Sequence, residues 1–158
     1  MLSQQDMAPD FNLPADPEGH VSLSGLRGRR VVIYFYPKDD TSGCTQEAIE
    51  FNQLAPEFAK AGIEIIGISP DSETKHRKFK QKHGLSLRLA ADGEKQAANA
   101  YGVWVEKSMY GRKYWGVERS TFLVGPDGRL ERIWRKVKVP GHAAEVLAAA
   151  KACSGAGK

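Results

Sequence analysis

The chain has little cysteine, no long apolar run and no metal-binding pattern, and each absence narrows what it does. Only two cysteines, Cys44 and Cys153, occur in 158 residues. They are too few and too far apart for a disulfide framework, so a reducing cytoplasm is the expected compartment. No apolar stretch approaches the ~20 residues that cross a bilayer. The start, Met1 to Asp6, offers neither a basic n-region nor an apolar h-region, so neither a secretory signal nor a membrane contact is expected. The histidines His20, His76, His83 and His142 show no ligand-like spacing with one another or with cysteine. They read as surface residues, and neither a metal nor another cofactor is expected. The net charge of +4 has one concentration, Arg129, Arg132, Arg135, Lys136 and Lys138, in a strand-like segment. Without a broad basic patch or a helix-turn-helix or zinc-finger pattern, that segment reads as a solvated strand face and not as a nucleic-acid site.

What is present is an alternation of strand and helix signals over one domain spanning residues 1–158. Phe11-Asn12-Leu13 and Val21-Ser22-Leu23 flank a turn-rich stretch and predict an N-terminal hairpin. Val31 to Tyr36 is β-branched and aromatic, as a buried central strand requires. A helix is expected from Thr45 to Ala61, kinked or restarted at Pro56 and ended by Gly62. Ile63 to Ser69 predicts a strand, and Ser72 caps a helix from Glu73 to His83 that Gly84 stops. A strand over Leu85 to Ala91, a short helix over Glu94 to Tyr101 and a strand over Thr121 to Val124 follow. The turn Gly125-Pro126-Asp127-Gly128 leads into a strand over Leu130 to Val137. A last helix covers about Gly141 to Ala152, with a flexible tail over about 153–158. Alternating strands and helices with one antiparallel pair near the end predict an α/β fold with a mixed central sheet and helices on both faces.

The most informative stretch is Pro37-Lys38-Asp39-Asp40-Thr41-Ser42-Gly43-Cys44. It sets one thiol between the end of the central strand and the first turn of the following helix. Unpaired backbone N–H groups and the positive end of the helix dipole favour thiolate there, and the thiolate is the nucleophile. A single cysteine is more often an inert buried residue, but this position is not an inert one. By themselves Thr41 reads as an N-cap, Pro37 as a strand terminator, and Glu47 and Arg119 as surface charges.

The pattern Pro37-x-x-x-Thr41-x-x-Cys44-x-x-Glu47 resembles the peroxidatic motif of the peroxiredoxins. The stretch from Lys107 through Glu118-Arg119-Ser120-Thr121-Phe122, and the opening Ala8-Pro9-Asp10-Phe11-Asn12-Leu13, resemble the peroxiredoxin Q, or bacterioferritin comigratory protein, branch. The likeness runs over nearly the whole chain. It implies a thioredoxin-like fold and a thiol-dependent peroxidase reducing hydrogen peroxide and organic hydroperoxides through a Cys44 sulfenic acid. It also assigns roles. Thr41 accepts a hydrogen bond from the peroxide, and the backbone N–H groups of Gly43 and Cys44 complete an anion site. Arg119 keeps the sulfur charged and polarises the O–O bond, Pro37 shields the sulfur from water, and Glu47 positions Arg119. The implied reductant is thioredoxin, glutaredoxin or a small thiol, and a monomer is expected.

The chain departs from that branch in three places. Where many relatives carry a second, resolving cysteine five residues after the first, this chain has Ile49. The helix from Ser72 to Gly84 contains no cysteine either, and Ser42 replaces the usual proline before Gly-Cys. A one-cysteine enzyme reduced by an external thiol is the leading expectation, with Cys153 as resolving cysteine the alternative. A disulfide oxidoreductase would show Cys-x-x-Cys, whereas Thr45-Gln46-Glu47 follow Cys44. A thiol redox sensor acting through a partner is a further alternative. A cysteine hydrolase is the weakest reading, because no histidine lies in a recognisable partner motif.

Overall fold

Residues Val31 to Tyr36 are at most 1% exposed, which explains their composition: a strand covered on both faces is apolar at every position. They form most of β3 (Arg30–Phe35), at the heart of a computed structural model that describes residues 2–16 and 19–156. The other strands are β1 (Asn12–Asp16), β2 (Gly19–Ser22), β4 (Ile63–Ser69), β5 (Arg88–Ala91), β6 (Trp104–Met109), β7 (Arg112–Val117), β8 (Ser120–Val124) and β9 (Leu130–Trp134). The helices are α1 (Ser42–Lys60), α2 (Glu73–His83), α3 (Gln96–Ala100) and α4 (His142–Ala156). Seven strands form one sheet in the order β2-β1-β5-β4-β3-β8-β9. β4 is parallel to β3 and β5 to β4, whereas β8 runs antiparallel to β3 and β1 antiparallel to β5. The sheet is therefore mixed, as the sequence predicts.

Alternation along β3 divides the core. Val31, Ile33 and Phe35 point to a cluster with Phe11, Tyr101 and Phe122, where α3 and the N-terminal segment pack. Val32, Tyr34 and Tyr36 point the other way, to Cys44, Phe51, Phe58, Phe79 and Val146 from α1, α2 and α4. The thiol thus belongs to the second cluster, beneath two stacked aromatic pairs, Tyr34–Phe51 and Tyr34–Tyr36.

Several elements differ from the expectations. α1 runs unbroken through Pro56, so of the two expected outcomes the restart does not occur. A mid-helix proline costs about 3 kcal/mol, but full burial of a phenylalanine contributes up to about 3 kcal/mol. Phe51 and Phe58, both 0% exposed, flank Pro56 and hold the helix to the core. β5 begins at Arg88 and not at Leu85, and β9 ends at Trp134. The sequence reading leaves 102–120 without an element, yet β6 and β7 form a separate two-stranded hairpin there. Its turn is Tyr110-Gly111, both at positive φ (51° and 77°), the backbone of a tight primed turn. The hairpin is largely exposed, so it lacks the apolar alternation that marks a half-buried strand. The last helix continues through Cys153 to Ala156, within the stretch expected to be a flexible tail; residues 157–158 lie outside the described residues. Two of the histidines expected at the surface are core residues, His76 at 0% and His142 at 4% exposure.

Candidate active site

Cys44 stands in the first turn of α1 because β3 ends at Phe35 and a tight loop delivers the chain to Thr41, the N-cap position. Thr41 has extended backbone angles, and its carbonyl accepts the Thr45 N–H at 2.8 Å. Its hydroxyl does not cap the helix. It donates to the Lys38 carbonyl at 2.9 Å, so the loop folds back on itself and the hydroxyl's lone pairs stay free to accept. Pro37 is half-buried and Thr41 exposed at the mouth of this loop, whereas Cys44 is 1% exposed.

The long-range partner of the thiol is Arg119, in the short link between β7 and β8. Its guanidinium forks. Nη2 donates to Cys44 Sγ at 3.2 Å, and Nη1 donates to Glu47 Oε1 at 2.6 Å. The backbone of this link is fixed on both sides: Glu118 N–H donates to the Val103 carbonyl at 2.7 Å, and Val137 N–H donates to the Arg119 carbonyl at 3.0 Å. Glu47 lies about one helical turn beyond Cys44, the spacing that puts both side chains on one face of α1. Gly43 completes the fit. A Cβ there would lie 3.3 Å from Arg119 Nη2, so glycine leaves room for the guanidinium to reach the sulfur.

The electrostatics follow from burial. Desolvation pushes the Glu47 carboxyl up to about 7 against the pull of Arg119. Burial draws the Arg119 guanidinium down, but the charges of Glu47 and Cys44 outweigh it and hold it above its ordinary value. Glu47 Oε2 and the Tyr34 hydroxyl are buried without a hydrogen-bond partner among the described residues. Burial, together with the nearby charge of Arg119, lowers the pKa of Lys107 on the β6–β7 hairpin. Lys107 is a neighbour of the site that sequence reasoning missed, although it opens the stretch 107–122 that carries the resemblance. His142 is another: Nε2 lies 2.8 Å from Thr121 Oγ1, and burial lowers its pKa.

The structure thus brings Thr41, Gly43, Cys44, Glu47 and Arg119 to one place, with Pro37 at the head of their loop. It does not bring Cys153 there. Glu50 of α1 accepts from the Gly141 N–H just before α4, and Glu57 of α1 pairs with Lys151 of α4. The two helices therefore run side by side in the same direction, and Cys153 lies beyond Glu57. From Cys44 to Glu57 α1 rises about 20 Å at about 1.5 Å per residue. Cys153 is an electrostatic neighbour of Arg30, at the opening end of β3, whereas Cys44 follows the closing end of that strand. A disulfide needs Cα atoms within roughly 7 Å, so the folded chain gives Cys153 no route to Cys44. Ile49, where many relatives have their second thiol, is half-buried against the α1–α4 core.

Comparison with known proteins identifies the family. The AhpC/TSA family model matches residues 4–133. The chain is 50% identical over 140 residues to peroxiredoxin Bcp of Bacillus subtilis, covering 89% of each chain. It is 49% identical over 147 residues to peroxiredoxin Bcp of Xanthomonas campestris, covering 92% of each. A solved structure of the Xanthomonas campestris bacterioferritin comigratory protein, described for its alkyl peroxide reduction activity, superposes with a TM-score of 0.87. The match is 46% identical and covers 91% of this chain and 92% of that one. Mixed sheet, N-terminal hairpin and flanking helices are the thioredoxin-like architecture of these relatives. The chain belongs to the AhpC/TSA family, within its peroxiredoxin Q or bacterioferritin comigratory protein branch of thiol-dependent peroxidases.

Proposed function

We propose that Cys44 reduces hydrogen peroxide and organic hydroperoxides as a one-cysteine enzyme recycled by an external thiol. The carrying observation is the forked Arg119, one arm on Cys44 Sγ and the other on Glu47. The thiolate lone pair attacks one peroxide oxygen. An S–O bond forms, the O–O bond breaks, and the bonding pair leaves with the other oxygen. That hydroxide or alkoxide takes up a proton and departs as water or alcohol, leaving Cys44 as sulfenic acid. Thr41 accepts the hydrogen bond of the incoming peroxide, since its own proton is committed to the Lys38 carbonyl. Arg119 and the first-turn N–H groups of Gly43 and Cys44 stabilise the charge that develops along S–O–O. Pro37 limits water at the loop, and Glu47 fixes the guanidinium plane.

The distance of Cys153 from Cys44 supports an external reductant. A thiol from thioredoxin, glutaredoxin or a small molecule displaces water from the sulfenic acid to give a mixed disulfide. A second thiol then releases Cys44. Every group of the site comes from one chain, so the working unit is read as a monomer. Such a cycle suits a reducing cytoplasm, and among the described residues no helix is long and apolar enough to cross a membrane. The test is peroxide consumption with added thiols, alongside intact mass after one equivalent of peroxide. The expected product is a gain of one oxygen on Cys44, and Cys44→Ser consumes no peroxide while keeping its circular dichroism. Turnover by that variant, or a Cys44–Cys153 bond in the oxidised protein, refutes the proposal.

A further inference from the structure

The loop that presents Cys44 is anchored by a buried polar cluster that the peroxidase chemistry does not use. Asp39, between Pro37 and Thr41, is 8% exposed. Its Oδ1 accepts the Tyr36 hydroxyl at 2.6 Å, and its Oδ2 lies 2.6 Å from His76 Nδ1 on α2. Its backbone N–H donates to Asp71 Oδ2 at 2.7 Å, which also accepts the Ser69 hydroxyl at 2.8 Å. His76 is wholly buried, and its Nε2 lies 2.9 Å from the Ala90 carbonyl. A carbonyl only accepts, so Nε2 carries a proton, and a further proton lies between Nδ1 and Asp39 Oδ2. Whichever atom holds it, the contact is short and sits where water does not compete.

The neighbouring residue shows that the loop needs an external hold. Asp40 has a φ of 63°, a left-handed conformation uncommon for a residue with a side chain. Such backbone persists when the surroundings over-determine it. Asp40 is tied to α2 by Lys82 at 2.7 Å and His83 at 2.9 Å, but this trio sits at the surface, where ion pairs hold weakly. The buried Asp39–His76 contact is therefore the stronger of two tethers between the Cys44 loop and α2. Opening is also a requirement of the cycle: at 1% exposure Cys44 offers an external thiol no approach until this loop moves.

We propose that His76 is a positioning residue: through Asp39 it clamps the Cys44 loop in its peroxide-reactive arrangement and delays the opening that admits the reductant. The inference rests on Cys44 being the thiol that reacts with peroxide. It separates two steps that loss of stability alone does not, since releasing the clamp slows oxidation and hastens capture of the sulfenic acid.

The experiment measures both steps in the full-length protein. Stopped-flow fluorescence gives the rate with hydrogen peroxide, and a 1,3-dicarbonyl probe gives the rate of sulfenic acid capture. His76→Leu keeps bulk and loses the contact. Oxidation should slow about tenfold or more, as misplacement of a reacting group predicts. Capture should quicken about threefold or more as the open form gains population. Asp39→Asn, which weakens the clamp from the loop side, should shift both rates in the same directions and keeps the inference testable should His76→Leu fail to fold. His76→Asn, whose amide can still donate to Asp39, should stay close to wild type in both steps. Val124→Ala, a cavity beside the opening end of β3 and far from Cys44, is the stability control and should leave the ratio of the two rates unchanged. Wild-type rates in His76→Leu, or the same split in Val124→Ala, overturn the inference. Failure of the wild type to react with peroxide would instead overturn the peroxidase reading itself.

Discussion

Replacing Glu47 by Gln should make the protein more stable at alkaline pH while making it a slower peroxidase. The carboxyl is 1% exposed, with one oxygen on Arg119 and the other unpartnered among the described residues. Burial raises it from an ordinary 4.5 to about 7. The folded protein therefore holds this proton more tightly than the unfolded chain. Below about pH 4 both states are protonated and the group contributes nothing to pH dependence. Between about 4.5 and about 7 the unfolded chain has released the proton and the folded one has not, so stability falls as pH rises. Above that window the full loss is in place. At about 1.4 kcal/mol for each pH unit, the rise corresponds to about 3 kcal/mol. Glutamine has no proton to lose and escapes this slope. The stability difference between Glu47→Gln and wild type should swing by about 3 kcal/mol in favour of the variant between about pH 4 and about pH 8. Urea unfolding of both proteins over a pH series measures it, because the other titrating groups cancel in the difference. Parallel pH profiles, or a variant that loses ground at alkaline pH, refute the reasoning. The peroxide reaction should slow, because the neutral amide grips Arg119 less firmly than the carboxylate does, so the same carboxyl trades stability for activity.

Arg119→Ala removes the charged donor on Cys44 Sγ. It should slow peroxide reduction and iodoacetamide alkylation by at least about tenfold, equivalent to ~1.4 kcal/mol in the barrier; unchanged alkylation kinetics contradict the role. Gly43→Ala places a Cβ 3.3 Å from Arg119 Nη2, close enough that the guanidinium must shift by a few tenths of an ångström away from the sulfur. The peroxide rate should fall severalfold with little change in melting temperature, and a full wild-type rate refutes the close-fit argument. Cys153→Ser should keep most turnover with an external thiol, since Cys153 lies near the far end of α4; loss of activity in steady-state assays with thioredoxin counts against the one-cysteine cycle.

Much of this site is legible along the chain because its first half is local. A β-branched and aromatic run, a proline, a polar loop and a thiol at a helix start lie within fifteen residues, Arg30 to Cys44, and each follows from short-range preference. The same is true of α2, where Ser72 accepts the Lys75 N–H and Gly84 takes the left-handed conformation that ends the helix. The resemblance to the peroxiredoxins adds Arg119, but nothing local distinguishes that residue from a surface arginine.

What the tertiary structure alone decided are contacts between distant segments. Arg119 reaches Cys44 across 75 positions of sequence because β8 lies beside β3 and delivers the chain to the sulfur. His76 gives no sign in sequence of being buried, because only the packing of α2 over the Cys44 loop sets it against Asp39. The β6–β7 hairpin escapes pattern reading because its stability comes from cross-strand pairing and not from a buried face. Cys153 is the clearest case. The body of its helix is legible but the extension through Cys153 is not, and only the parallel docking of α4 on α1 places the second thiol at the wrong end of the sheet. Composition and short-range preference determine that a thiol stands at a helix start; the pairing of distant strands and helices determines which groups face it and which cannot reach it.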